Sequence, residues 1–254
     1  MAIIALPAFK DNYIWAIINE SKHTFICIDP GEAKPILSYA KNNQLSLTHL
    51  LITHHHPDHI DGVAELLQVF PKTIVYGPND ARLPQINFMV RNEDIIPIDH
   101  YDFRILSTPG HTSSHICYQE PSKNWLFCGD TLFSAGCGRV FDGTMEDLYR
   151  SLLLLKKLPK DTQIYCAHEY TRQNLRFAAI IEPDNHTIES YRAHLMKHPN
   201  QCSLPSTLRL EKKINPFLRT DTQALQTFAQ KEGINPFDQF AIFRHLRKKK
   251  DNFQ

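Results

Sequence analysis

The feature that most constrains this chain is T-H-H-H-P-D-H-I-D-G, residues 53–62, which follows directly on the apolar run L-T-H-L-L-I-T. Four histidines and two aspartates fall within the nine residues His54 to Gly62. A buried strand that runs into this many ionisable groups must compensate them, because unpaired burial costs several kcal/mol per group. Metal coordination is the compensation the residue types suggest. Imidazole nitrogen and carboxylate oxygen suit zinc, iron or manganese. In extended or loop backbone, side chains at i and i+2 point the same way, so His54 and His56 can share one ion. Asp58 and His59, beyond the Pro57 bend, can face a second. His55, between two ligands, is expected to point elsewhere in a supporting role.

Three later stretches repeat the arrangement of a strand-like run ending on a candidate ligand. F-R-I-L-S leads into T-P-G-H-T-S-S-H (108–115), where a Pro-Gly turn presents His111 and His115 begins the next run. W-L-F-C-G-D-T-L-F (125–133) delivers Asp130 beyond Gly129, and Y-C-A-H-E-Y-T (165–171) delivers His168. Five histidines and two aspartates then divide into two sites, His54, His56 and His111 on one ion and Asp58, His59 and His168 on the other. Asp130, with two oxygens to offer, bridges them. Two cations about 3.5–4 Å apart hold a bridging water and lower its pKa towards neutrality. The resulting hydroxide is the nucleophile, Asp58 positions it or carries its proton, and the ions stabilise the oxyanion. The expectation is a metal-dependent hydrolase with two divalent ions per chain, most readily zinc, with iron or manganese as alternatives.

Up to about residue 170, short runs rich in Ile, Val, Phe and Tyr alternate with helical patterns at 34–42, 62–69 and 145–158. The last of these opens with the capping box Thr144-x-x-Asp147. This predicts layered α/β structure. Beyond 170, helical periodicity dominates at 188–197, 222–231 and 236–249, with Asn235 as the expected N-cap of the last helix. Two domains follow, a catalytic one over 1–170 and a helical one over 171–254.

Charge and composition exclude several classes. A net charge of +1 argues against a protein that coats nucleic acid. The N-terminus lacks a basic signal region, and no apolar run approaches the roughly 20 residues of a membrane span. The six cysteines are scattered, with no CxxC pair, and read as buried reduced thiols in a cytoplasmic protein.

The order H-x-H-x-D-H, His, Asp, His resembles the metallo-β-lactamase superfamily. That resemblance implies a four-layered αβ/βα sandwich with the site at one edge. Longer blocks are similar to the glyoxalase II family, the hydroxyacylglutathione hydrolases, over nearly the whole chain. They are P-A-F-K-D-N-Y-I-W, L-F-C-G-D-T-L-F-S-A-G-C-G-R-V-F-D-G-T, A-H-E-Y-T-R-Q-N-L-R-F-A, N-P-F-L-R and R-K-K-K-D-N-F. The resemblance implies hydrolysis of S-D-lactoylglutathione to glutathione and D-lactate, the detoxification of methylglyoxal; a monomer is expected. It places glutathione on Arg139, Phe141, Tyr170, Arg247 and Lys250. Arg247 and Lys250, three apart, share a helix face, and an anionic tripeptide calls for cationic donors. Lys248 and Lys249 are read as surface. Phe141 stands where many members have Tyr, and Asp61 where Gly is common. The competing readings are another enzyme of the superfamily, such as a nuclease or a persulfide dioxygenase, or a metal-binding protein without catalysis.

Overall fold

The computed structural model describes residues 2–253 and divides the chain into two compact units. The first comprises residues up to Ser107 together with Ser114–Gly129. The second comprises Thr108–Ser113 and everything from Asp130 onward.

The first unit holds a six-stranded mixed sheet in chain order. Its strands are β1 (Ala2–Ala8), β2 (Asn12–Asn19), β3 (Thr24–Ile28), β4 (Ser46–Leu51), β5 (Ile74–Pro78) and β6 (Phe88–Val90). The first three pair antiparallel through tight connections, and the next three add parallel. Parallel addition needs crossovers. Helix α1 (Ala33–Asn43) makes the first of these, and α2 (Pro57–Ile60) and α3 (Val63–Val69) lie in the second. The core on this sheet is mostly aliphatic, built on Ile14, Ile36, Leu50, Leu66 and Val75 around Phe25. Further strands β7 (Ile95–Ile98), β8 (Tyr101–Ser107), β9 (Ile116–Glu120) and β10 (Trp125–Gly129) form an antiparallel meander.

The second unit is mostly helical. It contains the two-residue hairpin strands β11 (Leu132–Phe133) and β12 (Gly136–Cys137), then α4 (Met145–Lys156), β13 (Gln163–Cys166), α5 (Thr171–Ile181) and α6 (His186–Lys197). After these come β14 (Ser206–Thr207), α7 (Leu208–Ile214), α8 (Gln223–Lys231) and α9 (Gln239–Asp251). A core of Leu175, Ala178, Ile188, Leu195 and Ile214 joins α5, α6 and α7.

Helix α4 starts as its capping box dictates. The Thr144 hydroxyl accepts from the Asp147 N–H at 3.0 Å and donates to its carboxylate at 2.6 Å. Helix α9 starts three residues later than its sequence pattern suggests. Asp238, not Asn235, caps it, accepting from the Ala241 N–H at 2.8 Å. Asn235 caps only a local turn at Phe237, which is exposed. Among the described residues no disulfide joins the cysteines, and no helix is long and apolar enough to cross a membrane.

Candidate metal centre and substrate arm

In the first unit, four of the expected ligands follow β4. His54 is wholly buried, and its Nε2 lies 3.0 Å from His56 Nδ1. Pro57 occupies the first position of α2, where a missing N–H costs nothing, and the short helix carries Asp58 and His59. Asp58 Oδ2 lies 3.5 Å from His59 Nε2. Two ligands about 2.1 Å from one ion at the tetrahedral angle lie about 3.4 Å apart. Both spacings are therefore close to those of ligands sharing an ion, in the pairing expected from the sequence.

The outward nitrogens are fixed from behind. Asp29 accepts from the Thr53 N–H and hydroxyl, both at 2.8 Å, and lies 3.1 Å from His59 Nδ1. The Thr53 hydroxyl also lies 3.0 Å from His54 Nδ1. With Nδ1 engaged, Nε2 of each ring is left for a metal. Although Asp29, His54 and His59 cluster closely enough to suggest a ligand trio, Asp29 is better placed to orient than to ligate, because both its oxygens are already occupied. Asn12 donates to Asp58 Oδ2 at 2.9 Å, which gives the early D-N-Y motif a task. Gly31 must be glycine, since a Cβ there would sit 1.8 Å from the Asp58 carbonyl oxygen. His55 turns towards Asp80, 3.6 Å away, whose carboxyl the Arg82 guanidinium and Ser114 hydroxyl hold far below the usual carboxylate range. His115 stacks on His54 with centroids 4.8 Å apart. Among the described residues neither falls in a close trio of possible ligands. Asp61 is exposed at the end of α2.

In the second unit, Asp130 Oδ2 lies 3.5 Å from His111 Nε2 and 3.4 Å from His168 Nε2. One carboxylate oxygen thus faces two imidazoles that the sequence assigns to different ions, as a bridging ligand would. His111 Nδ1 engages the Arg139 carbonyl at 2.7 Å, again leaving Nε2 outward. Gly138 allows this approach, since a Cβ there would be 2.0 Å from the Asp130 carbonyl oxygen. Every donor pair within a unit has the chemistry and spacing that a divalent ion needs, so the residues fit the group.

The same unit carries the expected substrate residues. Tyr170 lies flat on His168, with centroids 4.6 Å apart and planes 7° apart. Phe141 is 61% exposed, its ring edge-on to His111 at 5.2 Å. Arg139 is largely exposed, its Nε 3.4 Å from Asp251. Lys250 lies over the Phe177 and Phe253 rings at 5.8 and 5.3 Å. Burial, then the neighbouring Arg247 charge, lower its pKa to about 8. Arg247 is placed differently from a residue open to substrate. It is 4% exposed, stacks over Phe217, donates to the carbonyls of Cys137 and Gly138, and pairs with Asp251 at 2.9 Å. It braces the backbone that carries Arg139. Asp251 joins Arg139 to Arg247, a role not assigned to it from the sequence; nor are roles assigned there to Asp29, Asn12 or Asp80.

Residues 15–168 match the family model of the metallo-β-lactamase superfamily, and residues 169–253 match that of the hydroxyacylglutathione hydrolase C-terminus. The fold is accordingly the metallo-β-lactamase fold, mixed sheets flanked by helices, with a C-terminal helical region. It is shared by the ETHE1 crystal structure from Myxococcus xanthus, which is 24% identical with a TM-score of 0.67 and full coverage of both chains. A second structure, TTHA1623 in a di-iron-bound form, is 24% identical with a TM-score of 0.60, over 86% of this chain and all of that one. The family models and the fold define a hydrolase of the metallo-β-lactamase superfamily. The hydroxyacylglutathione hydrolase of Legionella pneumophila (strain Corby) is 50% identical over 254 residues, all of both chains. The chain belongs to the hydroxyacylglutathione hydrolase family.

Proposed function

We propose that the protein hydrolyses S-D-lactoylglutathione to glutathione and D-lactate, with two divalent ions, most readily zinc, held by seven side chains. His54, His56 and His111 hold one ion, Asp58, His59 and His168 the second, and Asp130 both. The observation that carries this reading is that a single Asp130 oxygen faces the Nε2 atoms of both His111 and His168. Bound divalent ions supply a Lewis acid for the thioester carbonyl and acidify a water to attack near neutral pH.

The chain's own residues do the rest. Asp58, held by Asn12, accepts the proton of the attacking water. Arg139 and Lys250 take the glycyl carboxylate of glutathione, and Arg247 serves them by fixing the Cys137–Gly138 backbone and Asp251. Phe141 and Tyr170 flank the thioester arm with apolar faces. Thiol pKa values lie near 8.5, so glutathione departs as a thiolate with little acid assistance. Residues 1–170 carry the metal chemistry, and 171–254 the glutathione-thioester-binding region. We place the protein in the cytoplasm, a reading its mostly buried thiols support, and propose a monomer.

The test is the loss of thioester absorbance when the zinc-loaded protein meets S-D-lactoylglutathione. Hydrolysis that weakens in Lys250→Ala mainly through a raised KM supports both the reaction and the clamp. A fully loaded protein that leaves the thioester intact refutes the reading. So does a His168→Ala variant with undiminished turnover, as far as the second ion is concerned.

A further inference from the structure

Asn215 of the N-P-F-L-R motif and Ser134–Gly136 of the S-A-G-C-G run have no part in the chemistry above, yet the second unit binds them to each other. The hairpin β11–β12 turns through Ser134 and Ala135, and Ala135 is held at φ +55, which an L-residue rarely adopts. Glu211, fully buried on α7, grips this turn. One oxygen accepts from the hydroxyls of Ser134 at 2.8 Å and Ser206 at 2.5 Å. The other accepts from the Ala135 N–H at 2.7 Å and from the Asn215 amide at 3.2 Å. That Asn215 amide also donates to the carbonyls of Gly136 at 2.9 Å and Phe133 at 3.1 Å, and Asn174 donates to that of Ser134 at 3.0 Å.

The next residues along the chain are Cys137 and Gly138, whose carbonyls Arg247 holds, and then Arg139, whose carbonyl meets His111. The motif's Phe217 lies beneath the Arg247 guanidinium at 5.3 Å. A continuous set of polar contacts therefore runs from Glu211 through the turn to the cation that meets the substrate. Such a buried network costs much when left half satisfied and specifies one geometry when complete.

We propose that Glu211, with Asn215, is a positioning residue for glutathione recognition: it fixes the Ser134–Gly136 turn and thereby the placement of Arg139 and Phe141. This rests on the function proposed above. Glu211→Gln keeps all four contacts, because the amide oxygen can face Ala135 and Asn215 while its NH2 donates to hydroxyls that rotate to accept. Burial already pushes the Glu211 carboxyl above its ordinary pKa, so a neutral side chain is tolerated there. Glu211→Ala keeps none of the contacts.

The experiment measures KM and kcat for S-D-lactoylglutathione, and the Kd of glutathione by calorimetry, on the zinc-loaded full chain. Four proteins are compared: wild type, Glu211→Ala, Glu211→Gln and Ile188→Ala. The last removes buried volume from the α5–α6–α7 core, which also packs Ala135 of the turn, but takes away none of the turn's hydrogen bonds. Glu211→Ala raises KM and Kd about tenfold with kcat little changed, the scale of one lost charge-assisted hydrogen bond. Glu211→Gln restores both constants, and Ile188→Ala lowers thermal stability without moving Kd. Should Glu211→Ala fail to fold, Asn215→Ala is measured in its place with the same expectation. Unchanged KM and Kd in the Ala variant overturn the proposal, as does an equal rise in Ile188→Ala or failure of the Gln variant to restore binding. A wild type that neither binds glutathione nor hydrolyses the thioester overturns the function it rests on.

Discussion

Lys250 offers the sharpest test of how the substrate is held. Its ammonium sits over two aromatic rings and beside the Arg247 charge, and its pKa falls from 10.5 to about 8. A group with that pKa is about 90% charged at pH 7 and about 10% charged at pH 9. If only the charged form holds the glycyl carboxylate, KM scales as one plus the ratio of neutral to charged lysine. It then rises about tenfold between pH 7 and pH 9. Lys250→Arg keeps a cation that does not titrate in this range, so its KM should stay level. The assay is initial-rate hydrolysis of S-D-lactoylglutathione from pH 6.5 to 9, corrected for spontaneous hydrolysis. Comparing the two proteins removes titrations belonging to the substrate. Stability carries a second signature of opposite sense. The unfolded lysine binds its proton more tightly than the folded one, so the Lys250 contribution to stability rises with pH between about 8 and 10.5. Identical alkaline limbs in wild type and Lys250→Arg would refute the argument.

Asp29→Asn, which weakens the hold on His59 and Thr53, should lower zinc affinity about 10- to 100-fold in a chelator competition; an unchanged affinity would show that Asp29 does not orient the ligand. Arg247→Met leaves two carbonyls and Asp251 without their buried partner, and should cost about 3–5 kcal/mol in a denaturant titration. A loss below 1 kcal/mol would mean the cluster is well solvated. Thr144→Ala removes the α4 cap and should cost about 0.5–2 kcal/mol with KM unchanged. Removing zinc with a chelator should lower Tm, because the clustered imidazoles and carboxylates then lose the partner that compensates their burial; an unshifted Tm would place the ion outside the folding energetics.

The candidate ligands were legible because identity alone carries the information: His54 and His59 are buried in the first unit, and His111, Asp130 and His168 in the second, each just beyond an apolar strand-like run. The strand that delivers His168 was equally plain, since Gln163–Cys166 begins and ends where its apolar pattern does. The supporting residues were not. Asp29 reads as the start of an ordinary D-P-G turn, and nothing local tells that its carboxylate reaches residues 24 and 30 positions away. Strands β11, β12 and β14 are two residues each, below the length at which alternation can be read. Helical spacing placed Arg247 and Lys250 on one face correctly, but could not say that this is the buried face, shared with Phe243 and Leu246. A cation adjoining an apolar stripe reads as solvent-facing until the carbonyls that receive it are known.

That buried face changes what the C-terminal part of the chain does. A helix that merely presented lysines to a substrate could tolerate shifts of an ångström or more, because flexible ammonium groups would follow the ligand. Here Arg247 is anchored to the Cys137–Gly138 backbone, Asp251 ties Arg247 to Arg139, and the Arg139 carbonyl orients His111. Arg139, proposed to recognise glutathione, and His111, proposed to hold metal, are thus consecutive links in one set of hydrogen bonds. Loosening either end should be felt at the other, so metal affinity and glutathione affinity are expected to depend on each other. By linkage, any factor by which zinc tightens glutathione binding must equal the factor by which glutathione tightens zinc. Calorimetry of glutathione with and without zinc, matched against zinc competition with and without glutathione, measures both sides of that equality. A factor of one on both sides would mean that His111 is held independently of the arm, and the continuity of the hydrogen bonds would then carry no energy.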